Sequence, residues 1–190
     1  MARPADPQRR ARTLAAAADY VLEHGLAGLS LRPLAAALGT SPRMLLYDFR
    51  SKEELIMAVL TEVRGRLSGM LADYVRETGA SGADLVRAVW DWASSAERVP
   101  FMRLSFEVYV ETMTNPAAYS ERGRAMVTEW LDQFGTALVD APVGGPNATS
   151  ATLLIAVLRG LLLDRFVTGD ERRTDLALEH FAELLDRPGP

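Results

Sequence analysis

The sequence predicts an all-α protein, and three observations carry that reading. Ala and Leu supply 55 of the 190 residues against 16 for Val and Ile, a balance that favours helix over strand. No stretch sustains the alternation of apolar and polar residues that a half-buried strand requires. Helix start and stop signals recur along the whole chain and set out about nine helices.

The first helix is predicted over Gln8–His24, with Leu14, Ala18, Val21 and Leu22 on one face and Gly25 as its stop. Ser30 opens a short second helix, Leu31–Leu38, which accepts Pro33 in its first turn because an N–H there has no helical partner. Gly39 ends it. Ser41 caps a third helix over Pro42–Tyr47, with Pro42 at the first helical position. Ser51-Lys52-Glu53-Glu54 is a capping box opening a long fourth helix from Lys52 to Thr78. Ala83–Ala96 follows with Leu85, Val86, Val89, Trp90 and Ala93 inward, then Phe101–Met113 with Phe106, Val110 and Met113 inward. Asn115-Pro116 breaks the chain before Ala117–Val139, whose inward face is Met126, Val127, Trp130, Leu131 and Phe134. Ala141–Asn147, the stretch richest in Pro and Gly, reads as a loop. Thr149 or Ser150 caps a helix reaching Val167, and a last helix over Thr174–Asp186 turns Ala177, Phe181, Leu184 and Leu185 inward.

Charge bears on function only after it is divided. The net charge of −4 argues against a nucleic-acid partner. Residues 1–60, however, hold eight basic and six acidic residues, for +2, whereas 61–190 hold thirteen and nineteen, for −6. Other classes drop out on composition. Cysteine is absent, which excludes disulfide scaffolds, Cys-ligated metals and thiol catalysis and fits a cytoplasmic location. The strongest apolar run, Ala151–Leu158, has eight residues against the roughly 20 that a membrane span needs, so no membrane partner is expected. The patch Leu14–Ala18 is too short for a secretory signal. Two histidines far apart make no metal site. Glu107 and Glu111, one turn apart, have the spacing to share a metal but read more simply as a solvated or ion-paired face. No Ser/His/Asp grouping or phosphate loop appears, so neither an enzyme, a metal nor a cofactor is expected.

The chemistry concentrates in Leu31–Tyr47. Leu34, Ala35 and Leu38 face a core shared with Leu14, Val21 and Leu45, and Gly39 permits the tight turn between two short helices. The second of them projects Arg43, Met44 and Tyr47, with Thr40 and Ser41 at its start, as a helix-turn-helix presents groups to a major groove. Asp48 either breaks this helix or is paired, with Arg50 or with an arginine near the N-terminus. Arg9, Arg10 and Arg12 form an arm toward DNA or a basic tail.

Taken together, Ala11–Leu60 resembles the TetR family of bacterial transcriptional regulators, most specifically through L-x-x-L-A-x-x-L-G-T-S followed by M-L-L-Y-D-F-R-S-K-E-E-L. The chain departs from that family's pattern at Arg43, Leu46 and Asp48. The resemblance implies a helix-turn-helix DNA-binding domain over 1–51 and a helical ligand-binding and dimerisation domain over 52–190. Expected DNA contacts are Arg32, Thr40, Ser41, Pro42, Arg43, Met44, Tyr47 and Lys52, where Arg43 reads guanine and Met44 a thymine methyl.

Trp90, Phe106, Tyr109, Met126 and Trp130 are the expected lining of a mostly apolar effector site. The segment 153–167 is apolar nearly all round, so it needs burial on more than one face. Leu154, Leu158, Leu161, Leu162, Phe181 and Leu185 are therefore expected at a two-fold interface. The function that follows is a ligand-responsive, homodimeric repressor of a palindromic operator in double-stranded DNA. An all-α enzyme or a helical adaptor without DNA binding are the alternatives.

Overall fold

A computed structural model of the chain describes residues 7–137 and 147–186, and at several positions between 118 and 150 the backbone alone. The described residues form nine helices and no strand: α1 (Pro7–His24), α2 (Leu31–Ala37), α3 (Pro42–Phe49), α4 (Lys52–Thr78), α5 (Gly82–Ser94), α6 (Val99–Thr114), α7 (Pro116–Ala137), α8 (Asn147–Thr168) and α9 (Glu171–Leu185). The expected loop lies outside the described residues except for Asn147, which begins α8. Thr149 and Ser150 are therefore helical and do not cap it.

The chain divides into two compact units, Met1–Leu67 with Pro100–Ser120 and Ser68–Val99 with Glu121–Pro190. In the first, Ala17, Ala18 and Val21 of α1, Leu34 and Ala35 of α2, and Leu45 and Phe49 of α3 are buried together with Leu55, Val59 and Val63 of α4. Leu14, Leu22 and Leu38 are only half-buried, because the small residues Ala17 and Ala18 take the closest part of the helix contact.

In the second unit α5, α8 and α9 pack on one another. The expected α5 face is buried throughout, and Trp92 joins it. Two other faces, α6 in the first unit and α9 in the second, differ from expectation. On α6 the buried residues are Met102, Leu104 and Val108, while Val110 and Met113 are 52% and 74% exposed. On α9 they are Thr174, Leu178 and Ala182, while Ala177 and Leu184 are exposed. The α9 difference has a local cause. Asp170, not a residue at 174, caps this helix by accepting from Arg173 N–H at 3.1 Å, and the buried Thr174 hydroxyl donates back to backbone carbonyls of the same turn. A satisfied threonine can face inward. Val127 and Leu131 are half-buried on α7, and the side chains of Met126, Trp130 and Phe134 lie outside the described set.

Candidate nucleic-acid interface

The turn between α2 and α3 is built from backbone hydrogen bonds. Gly39 N–H donates to Ala36 O at 3.2 Å and Thr40 N–H to Ala35 O at 2.9 Å, closing the end of α2 in a Schellman motif. That motif needs a left-handed residue, and Gly39 supplies it at φ +63°. Ser41 then caps α3, its Oγ accepting from Met44 N–H at 3.3 Å, with Pro42 in the first turn. Leu45 and Phe49 anchor α3 to the core, which fixes what the opposite side shows. Arg32, Thr40, Ser41, Arg43, Leu46 and Tyr47 are exposed, while Pro42, Met44 and Lys52 are half-buried. All eight expected contact residues thus retain access to solvent, and they share one helix-turn-helix and the start of α4.

The far end of α3 differs from expectation. The helix does not stop at Asp48 but runs through it to Phe49. Asp48 can stay helical because it is paired: its side chain is 3% exposed, and Arg9 Nη2 lies 2.6 Å from its Oδ1. Arg10 Nε donates to the Asp48 carbonyl at 3.2 Å, satisfying a last-turn carbonyl that has no partner within the helix. The Arg10 guanidinium lies 4.7 Å from the Phe49 ring centre, and that of Arg9 lies 5.8 Å from Tyr47. Arg9 and Arg10 are therefore neither arm nor tail but part of the first turns of α1, holding the end of α3. Beyond Phe49 the chain reverses at Arg50, whose φ of 61° and the 2.7 Å bond from Ser51 N–H to Phe49 O describe the rare positive-φ γ-turn. Ser51 Oγ accepts from Glu54 N–H at 3.0 Å, as the capping box predicts. The adjoining Glu53 carboxylate is held below its usual range by its own backbone N–H and by Ser51.

A second fixing point lies behind the motif. Glu107 of α6 accepts from Leu26 N–H at 2.6 Å, so the turn after α1 is pinned by a carboxylate 81 residues away. Glu107 is thus half-buried on a backbone N–H, where a solvated or ion-paired face was expected. No group of three or more His, Asp or Glu side chains placed to hold one occurs among the described residues.

In the second unit Trp90 is buried and donates to Asp175 Oδ1 at 2.8 Å; Arg165 reaches the same carboxylate at 2.6 Å and covers the indole at 5.5 Å. Trp90 is thus committed to the joint between α5, α8 and α9. Phe106 and Tyr109 form an edge-to-face pair at 6.4 Å in the first unit. The side chains of Met126 and Trp130, the other two expected lining residues, lie outside the described set. A cavity of about 420 Å³ lies in the second unit among Met70, Tyr74 and Trp92, rimmed by Asp73, Glu77, Asp91 and Glu97 with Arg98. Nothing in the sequence pattern singled it out, since its carboxylates come from exposed positions on α4 (Asp73, Glu77), α5 (Asp91) and the turn after α5 (Glu97).

Leu154, Leu158 and Leu162 are buried within the protomer, and Leu161, Phe181 and Leu185 are half-buried. The outward stripe of α8 is Leu153, Ala156, Gly160, Leu163 and Val167, at spacings of three and four, and Leu176 and Leu184 are exposed on α9. No helix among the described residues is long and apolar enough to cross a membrane.

No curated protein matches the sequence. Solved structures do. A transcriptional regulator of Rhodococcus sp. Rha1 is 24% identical over 93% of this chain and 95% of its own, with a TM-score of 0.75. A TetR-family regulator of Cytophaga hutchinsonii reaches 0.79 at 17% identity, covering 94% and 93%. The multidrug binding protein EbrR, complexed with proflavin, is 26% identical over 90% of this chain and 98% of its own at 0.64. Residues 14–59, the helix-turn-helix with the start of α4, match the family model described as bacterial regulatory proteins, tetR family. Through that segment the chain carries the helix-turn-helix of the bacterial regulatory proteins of the tetR family, and its all-α fold is similar to that of those solved regulators.

Proposed function

We propose that the chain is a cytoplasmic, homodimeric repressor, without enzymatic activity, that leaves a palindromic operator when a small molecule binds. The observation that carries this reading is α3. A capped, core-anchored short helix holds Arg43 and Tyr47 in solvent, with Thr40 and Ser41 at its start. The Thr40 and Ser41 hydroxyls at the helix start suit phosphates, and the exposed Arg43 guanidinium in the first turn suits a guanine edge. The remaining contacts assigned to duplex DNA are Arg32, Pro42, Met44 and Lys52. A two-fold dimer is supported by the outward stripe Leu153, Ala156, Gly160, Leu163 and Val167. Its exposed leucines and valine are costly in water, and its small residues permit close helix approach.

The effector reading changes in its chemistry. The cavity at Met70, Tyr74 and Trp92 has a rim of four carboxylates and already holds a cation, the Arg98 guanidinium, over the Trp92 ring at 5.4 Å, a setting that suits a planar aromatic cation better than a wholly apolar molecule. Proflavin, which the similar protein EbrR binds, is such a cation.

Electrophoretic mobility shift with the duplex flanking the chain's own gene tests the DNA reading. A shift that weakens steeply with salt and is reversed by proflavin is the expected result. Arg43→Ala is expected to cost about 1–3 kcal/mol and to relax base preference at one position of each half-site. Absence of any shift would favour a helical adaptor.

A further inference from the structure

Asp48 is the only acidic residue on α3, and it sits where an anion is least welcome. The last turn of a helix already carries partial negative charge, and α3 is the helix assigned to DNA. Repulsion of both kinds is relieved by one partner. Arg9 closes on Asp48 at 2.6 Å while Arg10 takes the carbonyl of the same residue. Asp48 is thereby hidden at 3% exposure, while the Arg9 side chain keeps 34%. Arg9 also lies over Tyr47, which is 47% exposed. An arginine beside an exposed, DNA-facing tyrosine would ordinarily be free to bind a phosphate. Here it is occupied.

We propose that Asp48 is a positioning residue that withholds Arg9 from the DNA backbone. The pair spends one cation on holding the end of α3 and the Tyr47 ring in place. It lowers sequence-independent attraction to phosphates in exchange for a fixed reading surface. This rests on the DNA-binding reading above. It makes Asp48 a determinant of specificity without any contact to a base.

The test measures binding of the full chain to a random-sequence duplex and to the duplex flanking its gene, between 50 and 200 mM salt. Asp48→Asn keeps the size of the side chain and removes the charge. If Arg9 is then freed to one phosphate in each head of the dimer, the slope of log K on log salt steepens by about 1.8, about 12-fold more loss of affinity across that range. Affinity for the random duplex rises at low salt, and preference for the flanking duplex falls. Arg9→Gln is expected to leave the slope at the wild-type value, because Arg9 makes no phosphate contact there. Arg9→Gln with Asp48→Asn is expected to do the same.

A slope that drops by about 1.8, one phosphate for each head, in Arg9→Gln would show Arg9 already on a phosphate and overturn the proposal. An unchanged or shallower slope in Asp48→Asn would also overturn it. Should Asp48→Asn lose its helical circular dichroism, Arg9→Gln alone decides, since its partner pair is broken from the more exposed side. Wild-type protein that binds neither duplex at 50 mM salt would instead refute the DNA reading itself.

Discussion

Gly25→Ala offers a perturbation whose cost can be divided in advance. Gly25 ends α1 at φ +78°, a conformation that costs an L-residue about 1–2 kcal/mol. A Cβ built there would lie 2.7 Å from Glu107 Oε1, closer than any stable contact. The carboxylate is the far end of a flexible side chain, so moving it is easy in steric terms. What moving it costs is the 2.6 Å bond to Leu26 N–H, a charge-assisted hydrogen bond worth about 1–2 kcal/mol at this half-buried site. The sum is about 2–4 kcal/mol. Gly28→Ala is the internal control: its φ is +73°, but nothing lies within 4 Å of its Cβ, so only backbone strain remains. Urea unfolding of wild type, Gly25→Ala, Glu107→Ala and the double variant gives the coupling. In the Glu107→Ala background the cost of Gly25→Ala should fall to that of Gly28→Ala. Equal costs in both backgrounds would refute the claim that Glu107 pins this turn.

Three further outcomes follow from the second unit. Asp175→Ala is expected to lose about 1–3 kcal/mol, because it strips the partner from the Trp90 indole and from Arg165, and Asp175→Asn about half of that. Urea unfolding followed by tryptophan fluorescence checks this, and equal losses would assign the whole effect to the ion pair. Leu163→Glu is expected to give a folded monomer in sedimentation velocity, whereas Leu162→Ala should keep the dimer and destabilise the protomer by about 2–5 kcal/mol. Glu179 beside Arg87, and Asp164 beside Arg173, are held below the usual carboxylate range, chiefly by hydrogen bonds from those arginines. Their contribution is therefore complete above about pH 4.5 and is lost as the pH falls through the lowered values. Arg87→Gln should flatten the acid limb of a urea-midpoint profile and leave the change from pH 6 to 8 as it was.

What the sequence made legible was what neighbours along the chain decide. Ser41, Ser51, Gly25 and Gly39 act on residues within five positions, and each does so as the pattern predicts. The errors arise where the deciding partner is distant or has no side-chain identity. Val110 and Met113 form as good an apolar stripe on paper as Met102 and Val108, and only packing chose between them. Thr174 reads as polar until its hydroxyl finds carbonyls on its own turn. The Glu107 site could not be read at all, because its donor is a backbone N–H that any residue at position 26 would carry. Asp48 stood between. Its charge on a DNA-facing helix demanded a cation, but two candidates fitted, and the geometry of α1 chose Arg9 over Arg50.

The same pairings change what a net charge of −4 means for DNA. Of the six acidic residues among the first sixty, Asp48 is consumed by Arg9, and Asp19 is 2.7 Å from Arg66, a cation counted with the acidic remainder of the chain. Arg12, Arg32, Arg43 and Arg50, by contrast, make no ion pair among the described residues. Counting residues 1–60 therefore understates the positive balance of the head, since Arg66 from outside that count answers Asp19 while Arg12, Arg32, Arg43 and Arg50 have no acidic partner among the described residues. Only charges within about a Debye length, roughly 8–10 Å, act strongly on a phosphate, so this local balance governs the contact. A head with a small formal surplus can thus hold a duplex. It does so through a few placed cations rather than a broad basic field, which favours recognition by two heads in register over adhesion by one.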